Sequence, residues 1–113
     1  MWEQKLNIYD QLVAKCPRFE RKGKTVPYTS ANGYMFSLLN KEGEMGIRFS
    51  KDEQKKFIED HQTTIFKSHG AVMRGYVLIP DEMLSDLDSL SIHLNRSFDY
   101  VMSLEPPKSK KSK

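Results

Sequence analysis

The chain has a single cysteine, Cys16, which removes two classes of protein at once. No internal disulfide can form, and there is no cysteine cluster to hold a metal. Cys16 lies on an apolar stripe and precedes Pro17, so a small buried hydrophobe at a helix end is expected. Long hydrophobic runs are missing too. None approaches the roughly 18–20 apolar residues that cross a bilayer, so no membrane contact is expected. Glu3 and Asn7 stand where a secretory leader needs a basic start and an apolar centre, which points to a cytoplasmic protein. The three histidines, His61, His69 and His93, are far apart and make no metal-ligand spacing, so no metal or other cofactor is expected.

A basic face is also lacking, although the net charge is +3. The last six residues, KSKKSK, hold four of the lysines, and the rest of the chain is left at −1. The folded part therefore shows none of the excess that marks a nucleic-acid-binding surface. The tail alone could make weak contact with phosphates; a disordered, solubilising end is the expectation for residues 106–113. Catalytic patterns are likewise absent. No serine sits in G-x-S-x-G, and the carboxylates fall on helix faces with no pair singled out for acid–base work. A non-catalytic protein is expected.

What the chain does have is clear periodicity, and its 113 residues are enough for one domain. Trp2, Leu6, Tyr9, Val13 and Cys16 recur at steps of 4, 3, 4 and 3, one face of a helix that Pro17 ends. In FERKGKTVPYTS, Gly23 marks a turn. Thr25, Val26, Tyr28 and Thr29 favour a short strand, which Pro27 assigns to a sheet edge. YMFSLL (34–39) and MGIRF (45–49) read as two strands joined by NKEGE. Their glycines are separated by strand residues and do not run into a helix N-terminus, so this is a hairpin and not a phosphate cradle. Gly46 is expected to leave space beside Arg48.

Ser50 and Glu53 form the S-x-x-E pattern of a capping box, with a surface helix to follow over residues 51–61. TTIFKS and AVMRGYVLIP, with His69-Gly70 between them, read as a second hairpin. Pro80-Asp81 is expected to open the last helix, with Asp81 as its cap. Leu84, Leu87, Leu90, Leu94, Phe98 and Val101 follow at helical steps until Pro106-Pro107. The order α-β-β-β-α-β-β-α defines an α+β two-layer sandwich. Five strands form a mainly antiparallel sheet, with helices on one face.

Gly33-Tyr34-Met35-Phe36-Ser37-Leu38-Leu39, then Ile47-Arg48-Phe49, and later Tyr76-Val77-Leu78-Ile79-Pro80, resemble the N-terminal domain of the TfoX/Sxy family of bacterial regulators. The resemblance covers roughly residues 1 to 105 and includes the order of elements. It departs at Val26-Pro27-Tyr28-Thr29-Ser30, where the family commonly carries Met-Phe-Gly-Gly. It implies a stand-alone TfoX-N-like domain of secretion-chaperone-like architecture, related in shape to the YjbR-like domains and without an established biochemical activity.

Arg48 and Arg74 sit mid-strand among apolar residues. Each could simply project from the solvent face of the sheet, its stem lying over apolar surface. With Tyr34 and Tyr76 they also make a candidate partner-facing patch. A second observation favours a partner: YMFSLL is apolar on both faces, and helices can cover only one. A homodimer or a protein partner on the sheet face is therefore expected. The alternatives are a nucleic-acid-linked regulator using the tail, and an enzyme whose pocket the sequence does not reveal.

Overall fold

The computed structural model describes residues 2–23, 26–68 and 70–106. The expectations for Thr25, for the His69 turn and for the lysine–serine tail from residue 107 lie outside them. Helix α1 (Trp2–Ala14) is followed by strands β1 (Tyr28–Ala31), β2 (Tyr34–Leu39) and β3 (Met45–Arg48). Helix α2 (Lys51–His61), strands β4 (Ile65–Ser68) and β5 (Ala71–Leu78), a 3-10 turn (Asp81–Ser85) and helix α3 (Leu87–Met102) complete the chain. The strands form one sheet in the order β1-β2-β3-β5-β4, with every pairing antiparallel. This is the α+β sandwich that the periodicity implies, with the proline-preceded β1 at an edge. Among the described residues no helix is long and apolar enough to cross a membrane.

The turn between β1 and β2 is Asn32-Gly33, both with positive φ (56° and 84°). Two successive positive φ values are what a tight two-residue hairpin needs, and Asn-Gly adopts them at low cost. Ser50 caps α2 as expected, its Oγ accepting from the Glu53 N–H at 3.4 Å. The last helix differs from expectation. Asp81 starts a 3-10 turn and caps nothing; α3 begins at Leu87, where the Asp86 carboxylate accepts from the Ser89 N–H. Pro80 and the five residues after it thus form a separate step before the regular helix.

One core lies between helices and sheet. Tyr9, Leu12 and Val13 of α1 and Leu90, Leu94 and Val101 of α3 meet Ile47, Val77, Leu39 and Met45 of the strands. Phe19, Phe36 and Phe98 form an aromatic triad within it, with centroids 4.9–5.9 Å apart.

The double-faced apolarity of β2 has an internal explanation. The β1–β2 register runs Thr29–Ser37 and then Ser30–Met35, which leaves Phe36 unpaired as a bulge. A bulge breaks the two-residue alternation. Phe36 and Ser37 accordingly both reach the helix side, where Phe36 joins the triad and the Ser37 hydroxyl meets the Tyr9 hydroxyl at 2.6 Å. Met35 and Leu38 are left for the other face.

That face has its own small core of Leu38, Phe66 and Tyr76. The register of β5 against β4 is interrupted between Ile65 and Lys67, and β4 swings across the sheet. Asn40, at the end of β2, donates to the Lys67 carbonyl of β4 at 3.1 Å. Phe66 is fully buried as a result. Gly46 therefore leaves space for Phe66, not for Arg48: a Cβ at that position would lie 2.6 Å from the Phe66 ring. The cover that β2 needs comes from the chain's own second hairpin.

Candidate functional site

The four residues read from the sequence as a patch separate into two groups. Tyr76 is buried, and its hydroxyl donates to the Met35 carbonyl. Burial pushes its phenol up to about 12, against the opposing influence of Arg48. It is a wall of the outer core. Arg48, directly across the ladder from Tyr76, ends β3 with its guanidinium 5.3 Å from the Tyr34 ring and 5.7 Å from the Tyr100 ring. Two aromatic faces hold one cation. The Tyr34 hydroxyl in turn donates to the Glu105 carbonyl.

Helix α3 fixes this end of β3 through Ser97. Its buried hydroxyl donates to the Arg48 carbonyl, with the Phe36 carbonyl 3.3 Å away. The strand end, the bulge and α3 are thereby joined at one point.

Arg48 opens onto a groove of about 360 Å³. Arg74 and Gly75 of β5, Lys51 and Gln54 of α2, Ile65 of β4 and Tyr100 of α3 complete its lining with Phe49. Three cations line it and no carboxylate does. Among the described residues Arg48, Lys51 and Arg74 make no ion pair, whereas other cations do, including Lys5, Lys15, Arg18 and Arg21. Lys51, Gln54 and Tyr100 were not legible as members, because only the docking of α2 and α3 brings them to the strand end.

A second cleft, of about 110 Å³, lies between α2 and α3. It joins His61 and His93, which are 32 positions apart in sequence, with ring centroids at 6.1 Å. Phe49, Phe57, Glu53, Lys56, Asp60 and Arg96 surround them. The sequence carried no signal for this pairing, since it depends on where two helices cross. Among the described residues no group of three or more His, Cys, Asp or Glu is placed to hold a metal ion. Cys16 is buried, with Asn95 Nδ2 at 3.5 Å, and burial raises its thiol above the ordinary range.

No family model, curated protein or solved structure matches this chain.

Proposed function

We propose that the chain is a small, non-catalytic regulatory module of the TfoX N-terminal type, acting in the cytoplasm through contact with an acidic protein segment. The contact site is the groove lined by Arg48, Lys51, Arg74 and Tyr100. The observation that carries this reading is the gathering of three cations without a carboxylate on a folded body whose charge is close to neutral. A guanidinium held over two rings is pre-oriented, so little side-chain freedom is lost when its N–H fork meets a carboxylate. Like charges placed together without counterions favour an anionic partner in both rate and specificity.

Titration of the isotope-labelled full chain with a glutamate-rich peptide tests this, with a neutral peptide of equal length as control. Shifts centred on Arg48, Lys51, Arg74 and Tyr100, weakening with salt, are expected. Shifts confined to residues 106–113 would transfer the activity to the lysine tail and favour a nucleic-acid-linked role. Concentration-dependent shifts without peptide would favour a second copy of the chain as the occupant.

A further inference from the structure

The contact between α2 and α3 is built on two imidazoles. His61, the last residue of α2, and His93, midway along α3, lie with their ring planes at 86°. Both pack on Phe57, at 4.4 and 5.2 Å, and His93 also meets Phe49 edge-on at 6.0 Å. Phe57 is the one side chain of α2 that is fully buried. The helix is otherwise rich in charge; Ile58 also packs on the core, and the side facing α3 is attached through this ring and the imidazoles around it.

The charged groups facing the pair come from several elements. Glu53, Lys56 and Asp60 of α2 and Arg96 of α3 line the cleft, while the end of β3 contributes only the Phe49 ring. On the other side of His61, Asp81 and Glu82 of the 3-10 turn line an adjoining hollow. Glu53, the acid that acts on His93, also lies 4.0 Å from Arg96. Burial, His61 and Arg96 all oppose a proton on His93, and Glu53 alone favours it.

We propose that His61 and His93 form a proton-operated latch, which holds α2 on α3 while His93 is neutral and releases it when His93 takes up a proton. Docked, two uncharged rings complete the aromatic packing of Phe57. Protonated, His93 would be a cation in a cleft that already holds Arg96, and separation of the helices restores its hydration. The sign follows from linkage. His93 is held below its ordinary value in the docked state, so the released state binds the proton more readily. The contribution of His93 to docking is therefore fully present above the ordinary imidazole value of about 6.5 and is lost as pH falls through the lowered one. Release also removes a wall of the cationic groove, because Lys51 and Gln54 belong to α2. That last consequence rests on the proposed function; the latch does not.

The test is an NMR titration of the full chain between pH 7.5 and 5, reading the imidazole protons and the amide exchange of α2. His93 is expected to titrate below the ordinary imidazole range. After correction for intrinsic exchange, α2 protection should fall at low pH by about tenfold for each unit by which His93 is lowered, while β2, β3 and α3 keep theirs. His93→Phe keeps a ring without a proton site and should make α2 protection independent of pH. Should that variant fail to fold, His61→Gln removes the facing imidazole and should move His93 back toward the ordinary value. An ordinary or raised titration of His93, an α2 protection flat with pH, or a pH response unchanged in the variants overturns the latch. If an acidic peptide binds at no pH while α2 still responds, the groove reading fails and the latch stands.

Discussion

The ring of Phe66, on the edge strand β4, rests against the α-carbon of Gly46 on the central strand β3, although β5 lies between those strands in the sheet. Three ring carbons stand 2.6–2.9 Å from where a Cβ would be, so even a methyl group forces the hairpin to move. Gly46→Ala is expected to cost about 1–3 kcal/mol by overpacking, and Phe66→Ala about 3–5 kcal/mol by leaving a cavity. In urea unfolding the double variant should lose less than the sum of the two, because the clash needs both partners.

Tyr9, Ser37 and Thr29 form a buried chain of hydroxyls, with Oη–Oγ and Oγ–Oγ1 distances of 2.6 and 2.5 Å. Ser37→Ala removes the central member and leaves two buried hydroxyls without it, at an expected cost of about 1–3 kcal/mol. Tyr9→Phe in that background should be milder than in the native chain. Burial also holds the Tyr9 phenol well above its ordinary value, so the folded state keeps its proton where the unfolded state loses it. Stability should therefore decline as pH rises above about 10, and Tyr9→Phe should reduce that decline in alkaline unfolding curves.

In the cationic groove Arg74 is exposed and unpaired among the described residues. Arg74→Ala should change stability by no more than about 0.5 kcal/mol. Arg48→Ala also forfeits two ring contacts, worth about 0.5–1 kcal/mol. Both together should weaken binding of a glutamate-rich peptide by about tenfold or more and flatten its salt dependence in anisotropy titrations. Arg48→Lys should recover only part of the loss, since an ammonium lacks the planar fork.

Cys16 is 1% exposed, and its thiol is raised by burial. Alkylation of the native chain near pH 8 should be slow, because the thiolate is both scarce and enclosed. Adding denaturant should bring the rate up to that of a free thiol. Rapid labelling of the native chain would mean that the Pro17 end of α1 opens readily.

Local signals in the sequence located most of the elements. The stripe of α1, the Ser50 cap and the two hairpins each depend on residues within a few positions of one another, and each is where the pattern places it. The error at Asp81 has the same origin. Proline followed by an acid is a common helix start, but Asp86 offers a competing cap five residues later, and only the packing of Leu87 and Leu90 decides between them. Asn32-Gly33 was a usable hairpin signal that the strand pattern alone did not exploit. The site was less legible. Arg48 and Tyr34 could be named because both lie in patterned strands; Tyr76 lies on the outer face as its strand position implies, but it is buried there, and nothing local shows that β4 crosses over it. The His61–His93 contact is tertiary throughout.

The unpaired Phe36 gives β2 a property resembling a reading frame. Ahead of it, side chains alternate in one phase, and after it in the other. Deleting that single residue would cancel the shift: strict alternation would return, Tyr34 and Met35 would keep their sides, and the inner core would lose one ring. Arg48 would keep both of the rings that orient it. A deletion at Phe36 would thus open the inner packing alone, whereas deleting Met35 or Leu38 would carry a neighbour onto the wrong face.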